Sequence, residues 1–364
     1  MSPTGSNPLI AQRAATKSLT AITGTMVKVR LVNAYHVRNV PGRKTDVEDC
    51  QWIQHLHSVG LLRGSFRPDD EICAIRSLWW HRDNLIQLAT VHLQHMQKSL
   101  DQMNLQIHHV ISDLSGSIKA SEETIMKSLV GDYREEHLFV PRQSLDGYRR
   151  YQKMIQDLDK EVKRRMVHLP SKVDPAVKPL RKERNPRKTP RRTEPIDLRL
   201  ELYRAFGVDL TQIPGINPLT AQVLLTEVGP TMSRFPTAAA FCSWLRLCPE
   251  PKISGGQVLS SRTRPTKNRA ALALRLAAQA LHKSQTFLGD YFRRMKARLG
   301  PAKAITAVAH KLARIVYHLL TNQLEYDATI FQDQERRAQD RKRSRILSQA
   351  RELGLHLVPA ATVP

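Results

Sequence analysis

"ICAIRSLWWHRDNLIQLATVHLQHMQKSLDQMNLQIHHVISDL", residues 72–114, decides the fold. Ile72, Ile75, Trp79, Arg82, Ile86, Ala89, Leu93, Met96, Leu100, Met103, Ile107, Val110 and Leu114 recur at alternating steps of three and four, with no Pro or Gly between them. A period of about 3.5 marks a coiled-coil seam, which must find a partner helix. Arg82 is the one charged residue on that seam. A second run, Leu145, Tyr148, Gln152, Ile155, Leu158, Val162, Met166 and Leu169, is a candidate partner, folding back within the chain or pairing between subunits. The spacing predicts a mainly α protein with a coiled-coil helical hairpin over 69–169.

Upstream, "MVKVRLVNA" (26–34) alternates apolar and basic residues and reads as a strand. The Ser- and Thr-rich stretch 1–25 reads as a disordered leader. After the turn signal Pro41-Gly42, "VPGRKTDVEDCQWIQHL" (40–56) starts a helix capped by Thr45 or Asp46, with Trp52, Ile53 and Leu56 on its apolar side. Asp46 and Asp49 lie three apart in its first turn, a spacing that puts both carboxylates on one face and lets them share a Mg²⁺ with other ligands.

The 364 residues carry 57 Lys and Arg against 33 Asp and Glu, a formal charge of +24. Such an excess points to a polyanion, nucleic acid first, because each phosphate contact releases counterions. Cys50, Cys73, Cys242 and Cys248 show no CxxC spacing, so neither a zinc site nor a disulfide framework is expected. No apolar run reaches the ~18 residues of a membrane span.

Downstream of the hairpin, residues 170–195 mix six prolines with basic residues and read as an extended Pro/basic linker. A compact, Ala- and Leu-rich all-α domain is expected over 196–326, followed by a basic tail, 327–364. Inside the domain, "LTQIPGINPLTAQVLLTEVG" (210–229) reads as a helix-hairpin-helix turning at Pro214-Gly215-Ile216, whose Gly215 amide region suits a DNA phosphate. "LCPEPKISGGQVLSSRTRPTKNRAAL" (247–272) places Ser254 before Gly255-Gly256, with Lys252, Arg262, Arg264, Lys267 and Arg269 around it. A serine attacking phosphate needs an exposed hydroxyl, room for the backbone to approach, and cations against the developing charge. The five basic residues and Gly215 are the DNA-binding candidates.

The order of these pieces, "LVNA", "NVPGRKTDVEDC", a long coil, "PGINPLTAQVLLTEVG", "SGG" and a closing Ala/Leu-rich helix, resembles the DEDD insertion-sequence transposases, bridge-RNA-guided recombinases with a RuvC-like N-terminal domain. The resemblance implies an RNase H/RuvC-like α/β domain that binds Mg²⁺ through four acids, the last two in a "TDxxD" pattern matched by Asp46 and Asp49. It implies a C-terminal serine nucleophile, matched by Ser254, with Ser260 and Ser261 ranked below. DNA, a guide RNA and further copies of the chain are the implied partners, in the bacterial cytoplasm at the nucleoid. Nothing acidic precedes Asp46, so the family's first aspartate and its glutamate have no counterpart here. Residues 26–68 are therefore expected to be the remnant of an N-terminally truncated RuvC-like domain. The expected function is DNA cleavage and strand exchange in transposition, impaired by the missing ligands. The alternative is a non-catalytic DNA- or RNA-binding remnant held by its coil.

Overall fold

The computed structural model describes Val32, residues 46–62, 64–103, 135–183 and 197–329, and parts of 340–354. The chain divides into a unit of residues Met1–Arg67 and a unit of residues Pro68–Pro364.

In the first unit, helix α1 spans Asp46–Ser58 and begins where the capping signal predicts. Leu56 is buried, whereas Ile53, expected beside it, is exposed. The helix ends through Gly60 at φ +73, a left-handed conformation that glycine adopts without strain, and Leu61 N–H closes back on the Leu56 carbonyl at 3.0 Å. Val32 forms an isolated antiparallel bridge with Gly64. The rest of the expected strand 26–34 lies outside the described residues, as do the expected leader and the turn at 41–42.

The second unit opens with α2 (Asp70–Gln102) and α3 (Glu135–Val167), each 33 residues long. They pack against each other within one chain. Arg82 meets Asp159, and the His92 ring meets Gly147, so sequence rises along one helix as it falls along the other, and the pair is antiparallel. The 3–4 spacing gives the buried set on α2 almost as written: Ile72, Ile75, Trp79, Ala89, Met96 and Leu100. One step departs. Leu85 is buried and Ile86 is exposed, a rotation of the packed face by one residue just past Arg82. On α3 the buried apolar positions are Tyr148, Ile155, Val162 and Met166, with Leu169 just beyond. Asp159 is buried as well, next to the expected Leu158, because Arg82 on the facing helix bonds it with both ends of its guanidinium, at 2.5 and 3.3 Å. The seam expected at 104–114 lies outside the described residues.

Among the described residues up to 329, six further α-helices follow in this unit: α4 (Leu198–Phe206), α5 (Pro218–Val228), α6 (Ala238–Trp244), α7 (Arg269–Ala280), α8 (Phe287–Leu299) and α9 (Pro301–Asn322). Their starts are written in the sequence. Asp197, Asn217, Thr237 and Asn268 each accept a hydrogen bond from the amide three residues on. α9 is the central element, packed against α6, α7 and α8 through Ala304, Val308, Ala309, Leu312, Ala313 and Val316, all fully buried. Its alanines face an equally small-residued α7 (Ala270, Ala271, Ala277, Ala278), and side chains of that size allow the axes to approach closely.

Residues 170–183 run over this domain, bonded along their length. Lys172 N–H donates to the Arg204 carbonyl at 2.9 Å, and Arg199 and Gln212 donate to the carbonyls of Arg181 and Lys182. Lys178 and Arg181 both pair with Glu325 at 2.6 Å. The described half of the Pro/basic stretch is thus anchored, and 184–196 lie outside the described residues.

Gly147 sits inside α3, where glycine ordinarily costs about 1 kcal/mol against alanine. A Cβ there would meet the His92 ring at 2.6 Å, so the missing side chain is what admits the ring between the helices. Gly147→Ala is expected to lower the thermal unfolding midpoint, and Gly147→Ala combined with His92→Ala to recover it. A midpoint raised by Gly147→Ala alone would show that the ring moves aside without cost.

Candidate nucleic-acid interface

Lys252–Ser254 (β1) and Gln257–Ser260 (β2) form an antiparallel hairpin, with Ile253 opposite Val258 and Ser254 opposite Gln257. The turn between them is Gly255-Gly256, at φ +55 and +76. Two consecutive left-handed residues make the tight hairpin turn that matches strand twist, which is why glycine stands at both. A Cβ at either would meet nothing within 4 Å, so the need for glycine is conformational and the turn is open to an approaching strand. Ser254 is exposed immediately before it. The hairpin's apolar side chains are uncovered: Ile253, Val258 and Leu259 are 61%, 62% and 68% exposed.

The base of the hairpin is tied down by a bridge between Pro249 and Thr263, by Glu250 N–H to the Arg262 carbonyl at 3.1 Å, and by an ion pair of Arg264 with Glu250. Arg264 holds the Glu250 carboxyl below its ordinary pKa, and Lys252 and Arg246 add to that field. Both Arg246 and Arg264 are thereby engaged, the former donating to the Pro265 carbonyl. The side chains of Lys252, Arg262 and Lys267 are exposed and form no hydrogen bond or ion pair among the described residues. Ser260 is half-buried, its hydroxyl accepting from Arg262 N–H at 3.3 Å.

Arg269, expected to bind DNA, serves another purpose as well. As the first residue of α7 it lays its guanidinium over Trp80 of α2 at 4.4 Å and pairs with Asp83 at 3.4 Å. Trp80 donates its indole N–H to Glu227 of α5 at 3.0 Å, and buried Arg76 stacks on the other contact of the same ring at 5.1 Å while pairing with Glu227 at 3.8 Å. Burial raises the Glu227 pKa, against the opposing pull of Arg76, the Trp80 bond and Arg269. Burial likewise raises Asp83, opposed by Arg269 and Arg82. The 3–4 pattern of α2 gives no hint of this junction, since Arg76, Trp80 and Asp83 fall off the seam. The tandem Trp79-Trp80 is the only trace, one ring for each of two faces.

Gly215, at φ +90, turns the chain into α5, and a Cβ on it would come within 2.6 Å of the Ala277 carbonyl. Its role in the fold is close packing against α7. Of the arm expected before this turn, Leu210–Gln212 is a single 3-10 turn. Asp46 and Asp49 lie in α1 of the first unit, three residues apart. Among the described residues no three acids, histidines or cysteines are grouped so as to hold a metal ion. Cys73, Cys242 and Cys248 are free thiols, and burial pushes Cys242 up to about 12.

Breaking the buried Arg76–Glu227 pair leaves an uncompensated charge, so Arg76→Ala or Glu227→Ala is expected to cost about 3–5 kcal/mol in denaturant unfolding. The double change to Met at both positions is expected to cost far less. Additive losses in that cycle would show that the pair is not coupled.

Residues 209–291, which include the hairpin and every basic candidate, match the model of the Transposase IS116/IS110/IS902 family. Residues 11–105, which include Asp46, Asp49 and all of α2, match a transposase family of the DEDD IS110 type. The latter match begins inside the stretch read from composition as a leader. No curated protein is similar enough to match the chain. The two matches fall in chain order, one over α1 and α2 and the other from before α5 to the start of α8, and together they support a DEDD transposase of the IS110 family.

Proposed function

We propose that this transposase binds the DNA of an insertion sequence and breaks and rejoins its strands, with Ser254 as nucleophile and Asp46 and Asp49 as carboxylates for a divalent cation, Mg²⁺ by family habit. The observation that carries this reading is the exposed glycine turn that presents Ser254 at the tip of a hairpin whose base and following loop carry the exposed Lys252, Arg262 and Lys267. In the proposed step the Ser254 Oγ forms an ester bond to a backbone phosphorus, and the bond from that phosphorus to the leaving sugar oxygen breaks. The serine proton passes to a base and the leaving oxygen is protonated. Because one phosphodiester replaces another, an incoming strand's hydroxyl can reverse the exchange with no added energy source. A cation, when bound, supplies charge neutralisation at the phosphate oxygens. The three exposed cations hold the backbone in place, and phosphate contacts position without reading sequence.

The α1 segment is read as part of an RNase H/RuvC-like domain, the turn at Gly215 as the bend of a helix-hairpin-helix, and α2 with α3 as a coiled coil. A guide RNA and assembly of several copies complete the proposal. A second reading, a DNA- or RNA-binding protein without strong catalysis, is favoured by one fact of sequence. Residues 1–58 hold three acids, Asp46, Glu48 and Asp49, and two carboxylates neutralise Mg²⁺ less well than four. No described helix is long and apolar enough to cross a membrane.

Strand transfer by the 364-residue polypeptide, with element ends, guide RNA and Mg²⁺, is expected to be weak, and robust activity would sink the impaired reading. Ser254→Ala is expected to abolish whatever transfer there is while leaving duplex binding intact, and equal transfer by the variant would remove Ser254 from the mechanism. Lys267→Ala is expected to reduce the slope of log affinity against log salt by about 0.9. Arg269→Ala should instead lower the unfolding midpoint, through the lost contact with Trp80, worth about 0.5–2 kcal/mol.

A further inference from the structure

A cavity of about 730 Å³ opens where the anchored strap passes the end of α9. It is remote in sequence from the hairpin, and no residue assigned a role above lines it. Its wall is aromatic and rigid. Phe235 packs on Phe241 and Trp244 at 5.1 and 5.3 Å, and the Tyr317 ring lies 6.2 Å from Phe241. Tyr317 is further pinned by its hydroxyl, which donates to the Phe235 carbonyl at 2.9 Å. The rim is polar: Lys172 from the strap, Thr231 and Ser233 with hydroxyls 3.3 Å apart, and Thr321 from α9.

Lys172 is exposed as a residue, but its ammonium end lies against the Pro230 carbonyl, to which it donates at 2.5 Å. That burial lowers its pKa from the ordinary lysine value. A lysine ammonium has three donors, so two remain for a ligand at the mouth of the cavity. An apolar wall that includes two aromatic rings, below a cation and a row of hydroxyls, fits a ligand with a flat aromatic body and an anionic group. Pockets of this size hold a ligand of a few rings.

We propose that this cavity takes an unpaired nucleotide of a nucleic-acid strand, its base against Phe235 and Tyr317 and its phosphate on Lys172. The inference rests on the nucleic-acid reading above and adds a single-strand site to it. Stacking on aromatics tolerates any base, so the site is expected to be indifferent to sequence.

The test is fluorescence anisotropy of the full chain with labelled oligo(dT) and oligo(U) of about 15 nucleotides, a length that one single-strand site covers, and with a duplex of the same length. Ser233→Trp fills the cavity without removing charge, and Lys172→Ala removes the cation. Both are expected to weaken single-strand binding roughly tenfold, with duplex affinity unchanged and the unfolding midpoint as control. Lys172→Ala should also reduce the salt slope for single strands by about 0.7. A loss confined to oligo(U) or to oligo(dT) supports the site and names the strand as RNA or DNA. Unchanged affinity for both oligonucleotides in both variants overturns it. The Lys252→Ala, Arg262→Ala and Lys267→Ala triple variant separates this from the reading above, since it is expected to lose duplex binding and keep single-strand binding.

Discussion

Glu227, a carboxylate buried inside α5, ties together the parts of the second unit. Arg76 and Trp80 reach it from α2, and Trp80 in turn carries the guanidinium of Arg269 at the start of α7. Long helices joined by strap and loop alone would be free to pivot about the C-terminal helices. This junction fixes one end of α2 against α5 and α7 with charge, indole and ring contacts at once. Because burial raises the Glu227 pKa, the carboxyl is neutralised more readily in the folded chain than in the unfolded one. Its protonation therefore favours the fold at low pH, and that contribution is lost as pH rises through the raised value. What keeps the charged form in place at neutral pH is Arg76, so neither partner is useful without the other.

A consequence reaches the serine hairpin. α7 begins at Arg269, one residue after the Asn268 cap that ends the basic loop, so the junction holds the downstream anchor of that loop. The upstream anchor is the chain at Leu247, which is buried, with its N–H on the Cys242 carbonyl at 3.0 Å. Between two fixed ends the hairpin itself is bare. A two-stranded ribbon with its apolar pair in water is marginal alone. Rigid ends with an uncovered tip leave the ribbon's apolar pair open to a packing partner.

The helices were legible because their signals are local. The 3–4 spacing marked α2 and α3, while the caps at Asn217, Thr237 and Asn268, equally local, went unread. Ile86 was misplaced because Arg82 carries a charge into the seam and Asp159 must be accommodated opposite it, and a single-helix pattern holds no information about the facing helix. Glu227 was invisible for the same reason. Its partner Trp80 is 147 residues away in sequence, and on a helix as apolar as α5 one acid reads as an ordinary polar position.

The candidate site divides along the same line. The two glycines after Ser254 marked a turn, but its two short strands were not foreseen in a domain expected to be all-α, because the hairpin turn's demand for adjacent left-handed residues says nothing of the strands beside it. The basic residues around it were readable only as a set. Five cations look alike on the page, yet Arg264 is spent on Glu250 and Arg269 on Trp80 and Asp83, while Lys252, Arg262 and Lys267 face solvent. An exposed lysine keeps its full charge for a phosphate, whereas an arginine already forked onto a carboxylate must break that pair first. Phosphate binding should therefore follow the three exposed side chains and not the count of positive charge, and Gly215, packed on the Ala277 carbonyl, contributes to it by holding α5 in place.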